Sequence, residues 1–93
     1  MKVQYDPSKR QATLEHRGLD FEAIVEVFDG FYLIREDDRK EYGEIRYVML
    51  GALDSTPVVC VWTPRGDAVR VISMRIADEE ERKIYRRGLE RYG

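Results

Sequence analysis

The chain has 93 residues, of which 43% are hydrophobic and 37% are charged, with a net charge of −2. A chain of this length supports one compact domain over residues 1–93 and leaves no room for a second. It has no apolar run near the roughly 20 residues that span a bilayer and no signal-peptide pattern, so we expect a cytoplasmic protein.

Cysteine and histidine are scarce in this chain. The single cysteine, Cys60, lies in the apolar run VVCVW and is predicted to be a buried thiol, which excludes a disulfide or a cysteine-based zinc site. With His16 as the only histidine and no carboxylates at ligand spacing, we expect no metal site and no cofactor. Asp37 and Asp38, in the charged segment DDRKEYG, are interpreted as solvated surface.

The first third of the chain predicts a short strand followed by two helices. Asp6 before a proline is typical of a helix start, and Gly18 is typical of a helix end. A second N-cap, Asp20, precedes apolar residues at helical spacing. The predicted elements are a strand at residues 2–5, a helix from Pro7 to about Arg17, and a second helix from Asp20 to about residue 29.

From Phe31 onward the apolar residues follow the period of strands. Strands are predicted at residues 31–36, 44–53, 58–63 and 68–76. Short turns join the last three, so these should form an antiparallel meander. A final helix begins with Asp78 and Glu81 at capping-box spacing, and Gly88 predicts an end or a bend in it. The expected fold is α+β, with the helices packed against one curved antiparallel sheet of about four strands.

Arginine is prominent in the predicted meander. The residues concerned are Arg46, Arg65, Arg70 and Arg75. Guanidinium groups on neighbouring strands could hold a phosphodiester and stabilise developing negative charge. They could equally pair with carboxylates such as Glu44, as arginines on exposed sheet faces often do. Arg70 and Arg75 are an odd number of positions apart, so they point to opposite faces unless a bulge lies near Ser73.

Two other side chains are candidates for proton transfer. His16 could be a general acid or base at neutral pH, but it lies at the predicted end of a helix, where a cation is favoured, and we favour that structural role. Trp62 and most of the tyrosines are expected in the core. Tyr85 is kept as a candidate because it follows Glu81 and Arg82 on the helix nearest the arginine-bearing strand.

Four segments of the chain form a specific combination by their order and spacing. They are YDPSK at residues 5–9, HRGLDFEAIVEVF at 16–28, EIRYVMLG at 44–51 and RGDAVRVISMRIADEEERKIY at 65–85. Together they resemble the BrnT family of bacterial toxins over nearly the whole chain. The resemblance implies a RelE-like α+β ribonuclease that works without a metal ion and inhibits translation as the toxin of a type II toxin-antitoxin pair.

The same resemblance implies the partners. The usual partner is BrnA, an antitoxin with a ribbon-helix-helix domain, so contact with DNA would be indirect, through the antitoxin. RNA would be the substrate, no membrane contact is expected, and a homodimer is left open. A second interpretation is a catalytically inactive BrnT-like module whose role is to bind such an antitoxin or repressor.

The resemblance also implies a set of site residues. The catalytic candidates are Glu44, Arg46, Arg70, Arg75 and Tyr85, and the RNA-binding candidates are Lys9 and Arg65. To these we add Arg82 of the final helix as a further RNA-binding candidate, which the resemblance does not supply. The chain departs from the family pattern before the second helix, where members commonly read KHG and this chain reads HRG. Arg17 therefore occupies the usual histidine position, and His16 is displaced by one residue.

Overall fold

The computed structural model describes residues 1–93 as a five-stranded sheet with three helices. The strands are β1 (Lys2–Gln4), β2 (Leu33–Glu36), β3 (Tyr47–Leu53), β4 (Thr56–Arg65) and β5 (Ala68–Ile76). The helices are α1 (Pro7–Arg17), α2 (Ile24–Asp29) and α3 (Glu79–Tyr92), with a 3₁₀ turn at Phe21–Ala23 before α2. The predicted α+β class is confirmed. None of the helices is long and apolar enough to cross a membrane.

The strands are arranged in the order β1-β5-β4-β3-β2. Strands β2 to β5 pair antiparallel, as the meander required, whereas β1 runs parallel to β5. The sheet is therefore mixed and has five strands, and the expected antiparallel sheet of about four strands is wrong in both respects. Most of the chain separates β1 from β5, which supplies the long crossover that parallel pairing needs.

Capping side chains set the helix ends where they were predicted. Asp6 accepts a hydrogen bond of 2.9 Å from the Ser8 N–H at the start of α1, and Gly18 follows the last residue of that helix with φ of 69°. Asp78 and Glu81 form a reciprocal capping box at the start of α3. Side-chain hydrogen bonds thus satisfy backbone groups that the helix itself leaves unpaired.

Strand β3 begins at Tyr47, although the alternating pattern predicted a start at Glu44. The carbonyl of Ile45 accounts for the difference. It accepts a hydrogen bond of 2.6 Å from the hydroxyl of Thr63 on β4, in place of a backbone N–H from the neighbouring strand. The residues before Tyr47 form the end of a loop, held beside the sheet by this bond and by the Asp37 N–H, which donates to the Arg46 carbonyl at 2.7 Å.

One face of the sheet carries the core. Helix α2 packs on this face and α1 lies along β5. The fully buried side chains there include Phe21, Ile24, Met49, Cys60 and Met74. Burial raises the pKa of the Cys60 thiol to about 12, so the predicted buried thiol is confirmed.

Helix α3 lies on the opposite face, over β3 and β4. Its Ile84 lines an apolar groove together with Leu33 of β2 and Val59 of β4. Gly88 allows the close approach, because a Cβ at that position would lie 3.0 Å from the Leu33 side chain and 3.3 Å from that of Phe31. The helix continues to Tyr92, so the alternative that it ends at Gly88 is wrong. Only part of this face is covered.

Candidate functional site

A β-bulge in β5 brings Arg70 and Arg75 to the same face of the sheet. The pairing of β5 with β4 shifts between Val71 and Ser73, which leaves Ile72 as an extra residue. One extra residue reverses the alternation of side chains beyond it, so two arginines at odd spacing share a face. The bulge lies next to Ser73, where the sequence required one for this to happen.

Strand register places four arginines on the face that carries α3, and Arg46, just before β3, joins them through Glu44, the carboxylate that it shares with Arg65. We call this surface the arginine face. Its members are Arg35, Arg46, Arg65, Arg70 and Arg75. Every arginine that lies within a strand is among them. Thr63, which pairs with Arg70, also donates its hydroxyl to the carbonyl of Ile45, the residue next to Arg46. A chain of net charge −2 thus concentrates positive charge on one surface.

Glu44 holds two of these arginines together. Its carboxylate accepts a hydrogen bond of 3.1 Å from Arg46 and one of 2.9 Å from Arg65. The guanidinium groups of Arg46 and, to a smaller extent, Arg65 lower the pKa of Glu44 below its ordinary value. The carboxylate is therefore ionised at neutral pH and fixes the two guanidinium groups in place.

The loop before β3 supports Arg46 from the other side. The guanidinium carbon of Arg46 lies 4.1 Å from the centre of the Tyr42 ring, and the Tyr42 hydroxyl donates to Asp37 at 3.2 Å. Asp37 is only 4% exposed and also pairs with Arg39 at 2.7 Å, which lowers its pKa. The interpretation of Asp37 as solvated surface is wrong, whereas Asp38 is exposed as expected.

Arg75 is bound to α3 through Glu81. The two side chains form paired hydrogen bonds of 2.7 and 2.8 Å. Arg75 is the main reason that the pKa of Glu81 falls to about 2. Glu81 also accepts the N–H of Asp78 at 2.9 Å, so the residue that caps α3 is the same one that positions Arg75.

The other predicted site residues are placed in different ways. Arg70 forms no ion pair and its guanidinium is free of carboxylates. Lys9 lies on α1, in a cleft that Ser73 also lines. Arg82 is exposed on α3 and donates to the carbonyl of Ala77 at 3.3 Å. Arg70 thus belongs to the arginine face, whereas Lys9 and Arg82 lie on elements next to it.

Tyr85 is not brought to the arginine face. It is 9% exposed, its ring packs against Phe31, and its hydroxyl donates to the Phe31 carbonyl at 3.3 Å. A hydroxyl that already satisfies a buried backbone carbonyl serves the packing of α3. We therefore omit Tyr85 from the site proposed below.

Sequence reasoning missed three residues that the structure adds to this region. Arg35 was placed in a strand, but no local signal indicated which strands β2 would pair with. Asp37 and Tyr42 were assigned to a hydrophilic loop, since composition cannot show that a charged residue is buried with its partner. The spacing of Asp37 and Arg39, two residues apart, was the one available hint of a local ion pair.

The fold and this face together define a class of protein. A small α+β domain with its strand arginines on one partly open face fits a protein that binds phosphodiesters. The structure brings no three His, Cys, Asp or Glu side chains together in an arrangement that could hold a metal ion.

A comparison with known families is more specific. Residues 5–81 match the family described as "Ribonuclease toxin, BrnT, of type II toxin-antitoxin system". The match covers most of the chain, so the chain belongs to the BrnT family, and the predicted ribonuclease toxin of a type II toxin-antitoxin system is confirmed. Membership implies an antitoxin as partner. No curated protein matched the chain.

Proposed function

We propose that this toxin cleaves RNA at the arginine face without a metal ion and thereby inhibits translation. The observation that carries the proposal is the bulge at Ile72, which places Arg70 and Arg75 on one face beside Arg46. The strand length between Arg70 and Arg75 is roughly 13 Å at the usual rise per residue. That separation suits contacts with more than one phosphate of an extended strand.

The proposed chemistry uses the 2′-hydroxyl of the RNA as the nucleophile. As it attacks phosphorus, negative charge builds up on the non-bridging oxygens, and fixed guanidinium groups stabilise that charge. Glu44 and Glu81 hold their arginines before substrate arrives, so less ordering is needed on binding. In this proposal Arg46, Arg70 and Arg75 stabilise the reacting phosphate, Glu44 positions Arg46, and Lys9, Arg65 and Arg82 bind RNA.

The resemblance supports three further parts of the proposal. The fold is RelE-like, the antitoxin is a BrnA-like protein with a ribbon-helix-helix domain, and DNA is reached only through that antitoxin. The toxin would act in the cytoplasm, where messenger RNA is translated. The arginine face is the surface that such an antitoxin must make inaccessible to neutralise the toxin.

The proposal is tested by incubating the purified full chain with labelled single-stranded RNA in EDTA. We expect cleavage that leaves a 2′,3′-cyclic phosphate, and we expect Arg75→Ala to lower its rate while Arg86→Ala, an exposed arginine of α3, leaves it unchanged. In cells, expression without the antitoxin should arrest growth and Arg75→Ala should relieve the arrest. Folded protein that leaves both RNA and growth intact would overturn the proposal.

A second function is favoured by a specific observation. Three arginines of the face, Arg46, Arg65 and Arg75, are already paired with carboxylates. Ion pairs of this kind are also found on sheet faces that bind no RNA. On that account the protein is a catalytically silent module that binds its antitoxin. It predicts antitoxin binding together with no cleavage in the assay above, so the same experiment separates the two functions.

A further inference from the structure

The arginine face itself has no group suited to accept a proton at neutral pH. Glu44 and Glu81 are ionised, but their pKa values are lowered by arginines and both carboxylates are occupied by hydrogen bonds. Tyr85 is buried with its hydroxyl donated to a carbonyl. Removal of the proton from a 2′-hydroxyl must therefore depend on a residue beside the face.

A cleft beside the arginine face contains such a residue. It runs between α1 and the edge of β5 and is lined by Lys9, Ala12, Thr13, His16, Arg17, Ile72 and Ser73. Strand β1 covers β5 only at residues 68–70, so the edge beyond that point is left to α1. Ser73 pairs with Val61 and shares the arginine face with it. Ser73, which lies between Arg70 and Arg75 in β5, therefore belongs both to the cleft and to that face.

His16 has no structural partner in this cleft. It is exposed, and its ring forms no hydrogen bond or ion pair. The neighbouring Arg17 makes the structural contact instead, donating to the Met74 carbonyl of β5 at 2.8 Å. That hydrogen bond fixes the end of α1 against the bulged strand, and it leaves the histidine one position earlier free in the cleft. His16 lies in the last turn of α1, as the structural role we favoured requires, but the contact with β5 is made by Arg17.

We propose that His16 is the general base of the cleavage reaction, which is a refinement that rests on the proposed function. Its neutral imidazole takes the proton of the 2′-hydroxyl. The 2′-oxygen forms a bond to phosphorus as the bond from phosphorus to the 5′-oxygen breaks, and the departing 5′-oxygen takes a proton from water. The products are a 2′,3′-cyclic phosphate and a 5′-hydroxyl, and the imidazolium returns its proton to solvent.

Other charged groups in the cleft come from α1 alone. Lys9 and Arg17 are the cations that share it with His16, whereas β5 contributes the uncharged side chains of Ile72 and Ser73. Lys9 lies seven residues before His16, two helical turns away on the same side of α1. A phosphate held between Lys9 and the arginine face would lie beside the imidazole.

The test is the pH dependence of single-turnover cleavage of labelled RNA by the purified full chain. The wild-type rate should rise with pH through the range in which histidines ordinarily titrate, around pH 6 to 7. His16→Ala should lower the rate about 100-fold or more and remove this rise. Added imidazole should restore part of the rate. Glu15→Gln, an exposed neighbour outside the cleft, should keep both the rate and the profile.

The outcomes separate this inference from the proposed function. If the wild-type chain does not cleave RNA at all, the proposed function fails and the inference fails with it. A different result would overturn only the inference. In that case the wild-type chain cleaves RNA, and His16→Ala, which a thermal melting curve shows to be folded, has the same cleavage rate and the same rise of the rate with pH. The inference would also be overturned if His16→Ala cleaved RNA more slowly but with the wild-type pH profile. That result is expected if His16 binds RNA without accepting a proton.

Discussion

The two faces of the sheet are made by alternate residues of the same strands, yet they differ in what surrounds them. The core face is covered by the 3₁₀ turn and α2 and buries apolar side chains such as Ile24 and Met74 completely. The arginine face is only partly covered by α3 and keeps its charges in water or in ion pairs. Stability should therefore depend mainly on the first face and activity on the second, and substitutions on each can test that separation.

The largest effect is expected on the core face. Ile24→Ala removes a side chain with no exposed surface and leaves a cavity, so the free energy of unfolding should fall by about 2–5 kcal/mol. Urea unfolding followed by circular dichroism measures this change. Leu14→Ala, at a position that is 39% exposed, is the matched control and should change it much less. RNA cleavage per folded molecule should be the same in all three proteins.

The next effect is expected on the arginine face. Arg70→Ala removes an unpaired guanidinium, so the cleavage rate should fall by roughly 10²- to 10³-fold, as for other donors that stabilise developing charge. The free energy of unfolding should change by no more than about 0.5 kcal/mol. A loss of stability comparable with that of Ile24→Ala would show that the two faces are not separable in this way.

The smallest effect concerns the link between the arginine face and α3. The pKa of Glu81 is lowered from 4.5 to about 2, so its contribution to stability is complete above pH 4.5 and is lost as the pH falls through about 2. Glu81→Gln should remove this part of the pH dependence. At pH 7 it should lower stability by less than about 1 kcal/mol, since the pair is partly exposed.

Urea midpoints measured at pH 7 and pH 3 would show the change. Glu80→Gln is the matched control, since Glu80 is exposed and forms no ion pair. A wild-type protein whose stability does not fall relative to Glu81→Gln as the pH drops would contradict the assignment. It would mean that the ion pair between Arg75 and Glu81 is too weak in solution to fix the position of the Arg75 side chain.

The parts of the fold that the sequence predicted well are those with local causes. The ends of α1 and α3 follow from side chains that bond to neighbouring backbone groups, and caps of this kind are visible as residue types in order. The pairing of β1 with β5 was missed because parallel strands joined by a long crossover leave no local pattern. The late start of β3 depends on Thr63, which is distant in sequence.

The candidate site was predictable to a similar degree. Residue type and spacing identified Arg70 and Arg75 as candidates and showed that a bulge was needed to bring both to one face. The position of the bulge depends on the pairing of β5 with β4, which the sequence does not show. Arg35 was missed because its face depends on the register of β2. The place of His16 in the last turn of α1 was predicted, but only the position of Met74 shows that Arg17 makes the contact with β5.

The extra residue in β5 also has a consequence for how related genes can vary. Deleting Ile72 would remove the bulge and leave Arg70 and Arg75 four positions apart, so regular alternation would still place both on the arginine face. Deleting Ile72 together with a neighbouring residue would leave a spacing of three and turn one arginine toward the core, where an unpaired charge costs several kcal/mol. Active toxins should therefore tolerate loss of the bulged residue alone more readily than loss of two residues at this point.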